Sequence, residues 1–244
     1  MPPAIPPSLW QLRAGVKSLF RREKMPEARI EAKPEIKVIA EDKIPHLLFA
    51  GELGAVLELI IKDRNGNITE KQVLQSKSFV RQFMEILWAQ LQWLSAKGGS
   101  SVHSIDDRDA SIFGWHPNWD ANAAIGVTTR GILVGTGSTA PTVDDYKMET
   151  QIGHGTGAGQ LQYSAVAFGA PASDATTSQF TVTRDFANGS GGAVTVREIG
   201  LAVRVYTYST YGWDILIIRD VIAGGISVPN GQTLTVNYRI QAVV

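Results

Sequence analysis

The last twelve residues, TLTVNYRIQAVV at positions 233–244, alternate apolar and polar side chains. Leu234, Val236, Tyr238, Ile240 and Ala242 fall on every second position, the period of a strand with one face buried. The stretches upstream carry the same β-branched and aromatic bias: GILVG (131–135), QLQYSAVAF (160–168), SQFTVTRDF (178–186), AVTVREIGLAVRVY (193–206) and DILIIRD (214–220). Turn chemistry joins them, Ala187-Asn188-Gly189-Ser190-Gly191-Gly192 and then Pro229-Asn230-Gly231. Six or seven strands with few intervening helices predict a mainly β protein. Its C-terminal domain, residues 126–244, is expected to be an antiparallel β-sandwich or jelly roll. Thr142-Val-Asp-Asp145 reads as a capping box that opens a short helix through Met148.

Before that domain lie three further regions. Residues 46–100 read as a β-hairpin plus an α-helix. AVLELIIKD and ITEKQVLQS flank Arg64-Asn-Gly-Asn67, and an Asn-Gly pair between β-rich runs is a strong hairpin signal. In SFVRQFMEILWAQLQWL (78–94), Phe79, Phe83, Leu87 and Leu91 repeat every four residues beside Val80, Met84 and Leu94. That predicts a helix with a wide apolar face, capped by Ser76 or Ser78. One hairpin and one helix make a thin core, so this unit is expected to lean on another domain or subunit, with Trp88 and Trp93 adding to the apolar excess. Residues 101–125 read as a linker.

Residues 1–45 hold seven of the eleven prolines and are expected to form an extended attachment arm rather than a packed domain. Its one helix would be SLWQLRAGVKSLFRREK (8–24). Leu9, Leu12, Val16, Leu19 and Phe20 line one face and, with Trp10, are the candidate partner-binding residues; Arg13, Lys17, Arg21 and Arg22 take the rest. A basic amphipathic helix can lie on a membrane, pack on its own chain or dock on a protein, and contact with a neighbouring subunit is the reading adopted.

Charge and composition restrict the function. The 244 residues balance 23 Lys and Arg against 23 Asp and Glu, which argues against a general nucleic-acid binder. Nine basic residues face six acidic ones before Leu47, and eight face twelve from Ser101 onward. There are no cysteines, so disulfides, thiolate metal sites and cysteine nucleophiles are out. No apolar run reaches the length of a membrane span, and MPPAIPPSLW lacks the charged start and apolar core of a signal peptide, so neither membrane insertion nor that secretory route is expected.

Candidate chemistry fails on spacing. In QIGHGTGAGQL (151–161) a dinucleotide fingerprint counted from Gly153 ends on Ala158, and counted from Gly155 it ends on Gln160; no Lys follows for a phosphate loop. Both motifs need a helix N-terminus after the glycines, whereas a strand pattern follows. The stretch is expected to be a mobile loop with His154 exposed or in contact with a neighbour. Asp106, Asp107 and Asp109 with His103 could ligate a hard cation, though an exposed acidic loop accounts for them. Asp63-Arg-Asn-Gly-Asn starts like a calcium loop, but Ile68 and Leu74 stand where Gly and Glu are needed. Asp144 and Asp145 are adjacent and point apart, and His46, His103, His116 and His154 lack ligand spacing. No nucleophile elbow is present. No catalytic, cofactor or metal site is expected.

Several segments, in this order along the chain, resemble a family of tailed-bacteriophage virion structural proteins: SKSFVRQFM (76–84), GILVGTGSTAPTVDDYKMETQIGHGTGAGQLQYSAVAFGAP (131–171), SQFTVTRDFANGSGGAVTVREIGLAV (178–203) and LIIRDVIAGGISVPNGQTLTVNYRIQ (216–241). The resemblance implies a non-enzymatic particle component with a β-rich body, located in the virion, whose partners are other capsid or tail proteins. A capsid decoration (cement) or head-associated role ranks first and a neck, tail or fibre-attachment role second. From a different class, a carbohydrate-binding receptor module could use Tyr206, Tyr208, Tyr211 and Trp213. A homo-oligomer is expected, with a trimer as the family-style number.

Overall fold

A computed structural model of the protein describes residues 37–39, 53–76, 78–92, 101–111, 119–206 and 212–244. The attachment-arm helix, with Leu9, Trp10, Leu12, Val16, Leu19 and Phe20, lies outside the described residues.

The fold is mainly β, with one helix among the described residues and two principal antiparallel sheets. The strands are β1 (Lys37–Ile39), β2 (Leu53–Lys62), β3 (Ile68–Ser76), β4 (Ser101–His103), β5 (Asp109–Ser111), β6 (Trp119–Asp120) and β7 (Gly131–Gly135), with the helix α1 (Arg81–Gln92) between β3 and β4. Then follow β8 (Gln162–Tyr163), β9 (Ala167–Phe168), β10 (Ala172–Ser173), β11 (Thr177–Ala187), β12 (Val194–Tyr206), β13 (Gly212–Val228) and β14 (Thr233–Val243).

The larger sheet runs β1-β3-β2-β14-β11-β10, with β8 and β9 also pairing β11. All its pairs are antiparallel except β1 with β3. The smaller sheet runs β13-β12-β6, and β7 pairs β12 beside β6. The terminal strand is central to the larger sheet: one edge of β14 pairs β2 from Leu53 to Lys62, the other pairs β11 from Thr177 to Ala187. The β2–β3 hairpin therefore finds its missing core by extending the C-terminal strands. Its turn forms as the Asn-Gly pair predicts, with Gly66 at φ 81° and the Asp63 carboxylate accepting the Asn65 and Asn67 amides at 2.8 and 2.9 Å.

The alternation in β14 sets the register. Leu234, Val236 and Tyr238 sit beside Ile61, Leu59 and Leu57 of β2 and beside Phe186, Arg184 and Val182 of β11, all buried. From the smaller sheet, Val196, Ile199, Leu201, Val203, Ile215 and Ile218 belong to the same hydrophobic cluster. Tyr238 also donates its hydroxyl to Asp220 Oδ2 of β13 at 2.9 Å, and burial pushes its pKa well above the ordinary value.

Three expected elements differ. The helix begins at Arg81 without a serine cap. Residues 78–80 run extended along β13 instead: Val80 N donates to Ile217 O at 3.1 Å, and Arg219 N donates to Ser78 O at 3.1 Å. The open edge of β13 needs hydrogen-bond partners and takes them from this segment. The Arg81 amide bonds Val143 O at 2.8 Å. The 142–148 stretch is a turn, not a helix. Thr142 donates both its amide and its hydroxyl to the Asp145 carboxylate, at 2.9 Å each, which is one half of a capping box, while the Asp145 amide goes to the Thr142 carbonyl and not to its hydroxyl. The next amides are drawn away, Glu149 N and Thr150 N to the Glu198 carboxylate at 2.6 and 3.2 Å. QLQYSAVAF, read as one strand, is broken into β8 and β9 because Ser164 turns its carbonyl to Arg184 at 2.9 Å and Val166 bonds Ala123 O.

Arg184 occupies an inward slot of β11 between Val182 and Phe186 and is 1% exposed. All five of its N–H donors go to backbone carbonyls: Nε to Ser164 O, Nη1 to Arg130 and Ile132 O, Nη2 to Ala124 and Val127 O, at 2.7–3.3 Å. Burial and the neighbouring Arg130 press its pKa down to about 10, so it stays charged at neutral pH. Its guanidinium lies 4.8 Å from the Tyr163 ring centroid. Arg184→Met removes these donors and strands several carbonyls, each worth about 1–3 kcal/mol when buried and unsatisfied. Urea unfolding should show a loss of at least about 3 kcal/mol. Arg184→Lys should restore only part of it, because one ammonium cannot reach five acceptors in a fixed fork.

Candidate functional site

Two polar clusters and two apolar surfaces stand out on this frame. The first cluster surrounds Arg219 of β13, whose side chain is 3% exposed. Its guanidinium bonds Glu198 Oε1 at 2.6 Å, Asp145 Oδ2 at 2.7 Å, Thr139 O at 3.2 Å and Glu149 Oε2 at 3.3 Å. Glu198 is fully buried and also holds the Glu149 and Thr150 amides. Burial raises the Asp145 pKa, but the bonds from Thr142 and Arg219 outweigh it and leave the carboxyl below its usual value. These oxygens either pin the 136–150 segment onto β12 and β13 or, as with Asp145 Oδ1 and Glu149 Oε1, brace the segment against itself. The arrangement is a structural clamp with no unengaged base or nucleophile.

The second cluster sits on the β4–β5 hairpin, inside the stretch read as a linker. His103 Nδ1 lies 2.8 Å from Asp109 Oδ1 and its ring packs edge-on against Tyr146 at 4.3 Å. Asp107 accepts Tyr146 Oη at 2.6 Å and Lys147 Nζ at 2.7 Å. Asp106 is engaged by Arg108 and Ser104. The carboxylates considered for a cation thus already have partners, Arg108 and Ser104 on Asp106, Lys147 and Tyr146 on Asp107 and the His103 ring on Asp109, and among the described residues no His, Cys, Asp or Glu group is arranged to hold a metal. Asp144 and Asp145 diverge, to Arg81 at 2.9 Å and to Arg219. A cavity of about 540 Å³ opens between α1 and this hairpin, lined by Arg81, Gln82, His103, Asp109, Asp144 and Tyr146. Gln82, its buried amide, is spent on Leu216 O and His103 N.

QIGHGTGAGQL runs into β8, a strand, as its pattern required. It differs from a mobile crossing in being bonded to itself: Gly155 N to Leu161 O, Leu161 N to Gly153 O, Gln160 N to Gly157 O, and Gly157 N to Gln160 Oε1 at 2.9 Å. The Gln160 side chain fills the space the glycines leave. His154 is exposed, yet its Nδ1 accepts the Tyr163 amide at 3.0 Å. Of the aromatics considered for glycans, Tyr208 and Tyr211 lie outside the described residues and Tyr206 is half-buried. Trp213 packs on the core, with the Arg108 guanidinium 4.5 Å over its ring. Arg108 thus occupies the stacking position a sugar would need.

The apolar surfaces are better developed. The core-facing rows of the larger sheet continue past the core at one end. Leu57, Tyr238 and Val182 are buried, but Phe168, paired with Val182, is exposed; in the next row Ala55 is buried and Phe180 exposed; in the last, Leu53 and Ala242 are both exposed. Directly paired antiparallel residues share a face, so this is one continuous surface. On α1, Met84, Trp88 and Leu91 are exposed as well. Sequence reasoning placed the hairpin and helix but missed Arg184, Glu198 and Arg219. The signal was present for two of them: Arg184 and Glu198 occupy apolar-phase positions in Val182-x-Arg184-x-Phe186 and Val194-x-Val196-x-Glu198.

No protein-family model, curated protein or solved structure matches the chain.

The Asp107 carboxyl, bonded by Lys147 and Tyr146, is held at about 2. A depressed carboxylate stabilises the fold above its unfolded pKa and loses that contribution as pH falls through the folded value. The contact between the β4–β5 hairpin and Tyr146 should therefore hold at pH 5 and weaken between about 4 and 2. A proton NMR titration of the Tyr146 ring should show this transition in the wild type and none in Asp107→Asn.

Proposed function

We propose that this chain is a non-enzymatic structural component of a bacteriophage virion, a capsid decoration or head-associated protein attached through its N-terminal arm, residues 1–45. The observation that carries the reading is the apolar overhang of Leu53, Phe168 and Phe180, a core face that the described residues leave uncovered at the end of a sheet. Surfaces of this kind belong to proteins that assemble. The buried charged groups support it from the other side: Arg184, Arg219 and Glu198 are consumed in holding loops to strands. The resemblance of the 131–241 segments to virion proteins supplies the particle.

In this reading the two sheets are the layers of a β-sandwich, with Tyr238 and Arg184 of one bonded to Asp220 and Ile132 of the other. Its partners are other capsid or tail subunits and further copies of itself. In a symmetric particle, weak contacts repeated over many copies act together through effective concentration.

Deleting residues 2–45, which also removes the three-residue edge strand β1, should leave a folded β body that no longer joins particles, measured by its co-sedimentation with virions. Normal incorporation would remove the arm from the attachment. Leu12→Asp combined with Leu19→Asp should weaken incorporation more than Arg13→Ala, since a buried aliphatic side chain is worth about 2 kcal/mol and an exposed charge pair about 1 or less. Quantitative mass spectrometry of particles separates the locations: hundreds of copies place the chain on the shell, about five to twelve at a neck or tail.

A further inference from the structure

The helix α1 is apolar on two sides. Gln82, Ile86 and Ala89 are buried against the body, while Met84, Trp88 and Leu91 are 59%, 47% and 79% exposed. Spacings of i, i+4 and i+7 align these three in one stripe. A helix apolar on both sides is normally covered on both, and among the described residues this chain covers only one.

We propose that the Met84–Trp88–Leu91 stripe is covered by the same stripe of a second copy of this chain, the two α1 helices packing antiparallel about a two-fold axis near Trp88. This rests on the homo-oligomer reading above and names its contact. The charge pattern suits a like partner. From Ile86 to Gln92 the helix carries no charged residue, so a two-fold contact centred there brings no like charges together. The nearest charges are at the N-terminal end and already engaged, Arg81 with Glu85 at 3.1 Å and with Asp144 at 2.9 Å. The whole chain has zero formal net charge, so its copies approach without long-range repulsion. Antiparallel alignment about Trp88 sets Met84 of each copy close to Leu91 of the other, a flexible side chain against a branched one. Val143 is exposed beside the helix N-terminus, where its carbonyl takes the Arg81 amide, and extends the apolar surface. Four side chains fall short of the roughly 800 Å² per partner of a standard interface, so the contact should be reversible in the micromolar range.

The chain has no cysteine, so a single introduced thiol reports its own neighbour. Under mild oxidation Trp88→Cys should give a disulfide-linked dimer on a non-reducing gel, because a two-fold axis near residue 88 brings the two sulfurs within bonding reach. Phe168→Cys, at a comparably exposed apolar site on the larger sheet, should stay monomeric. Sedimentation velocity should show a monomer–dimer equilibrium for the wild type. Trp88→Glu and Leu91→Glu should each weaken it at least tenfold with an unchanged circular dichroism spectrum; Leu91, the most exposed of the three, keeps the test independent of folding. A wild type monomeric to high micromolar concentration overturns both this contact and the homo-oligomer reading. An oligomer that survives both glutamate variants, or Phe168→Cys cross-linking as well as Trp88→Cys, overturns the α1 contact while leaving self-association in place. A trimer mass overturns the two-fold arrangement.

Discussion

The five hydrogen bonds of the Arg184 guanidinium hold together parts of the chain that have little else in common. Their acceptors come from residues 124, 127, 130, 132 and 164, a loop, the approach to β7, β7 itself and the break between β8 and β9. A buried guanidinium without a carboxylate is costly, and carbonyl oxygens at five fixed positions are what make it tolerable. The dependence is mutual. Four of those carbonyls, all but that of Ile132, lie outside the sheet ladders, and the arginine gives each a partner. Gly131 shows how tightly this corner closes: it sits at φ 75°, and a Cβ there would lie 2.6 Å from Val166 Cγ2 and 3.0 Å from Ala121 O.

The Arg219 cluster solves the same problem by opposite means. Where Arg184 uses backbone dipoles, Arg219 uses three carboxylates, one fully buried and two at the surface. Both place a charged group of a long strand beneath a long connection and anchor it from below. The segments 119–135 and 136–150 are therefore parts of the body despite their small content of regular structure. Among the described residues, the exposed apolar side chains are then concentrated on the sheet overhang and on α1.

Much of the fold was legible because it obeys period two. The 233–244 alternation gives the faces of β14 correctly, and Asn65-Gly66 locates the hairpin. What failed to read were features decided by distant backbone. Nothing in QLQYSAVAF announces that Ser164 must turn its carbonyl away from a ladder, since the demand comes from Arg184, twenty residues later. The helix start moved to Arg81 because β13 claimed residues 78–80, a requirement set by a strand more than a hundred residues on. The stretch 142–148 is a turn because Thr142 spends its hydroxyl as a donor to Asp145, leaving no acceptor for a reciprocal cap, and Glu198 fixes the chain just beyond at residues 149 and 150. The Arg184 and Glu198 positions could have been suspected, as a charge in an apolar phase is a local anomaly. Most of their partners could not, because the backbone carbonyls around Arg184 and the backbone amides on Glu198 leave no mark on side-chain identity. The candidate arm residues from Leu9 to Phe20 remain an inference from helical spacing.

The outer edge of β13 bears on solubility. A seventeen-residue edge strand is a template on which further copies could stack without limit. Along its middle the edge is occupied by residues 78–80, by the Gln82 side chain at Leu216 O and by the Ile105 amide at Asp214 O. Beyond Val221 the register with β12 skips from Val221 to Ile226, and Gly224 and Gly225 sit at φ 79° and 70°. The strand is thus masked where it is straight and bent where it is bare. So long a strand can stay single only on those terms: along its straight part the outward backbone groups at residues 214, 216, 217 and 219 are already taken, and a further strand finds no unbroken ladder there.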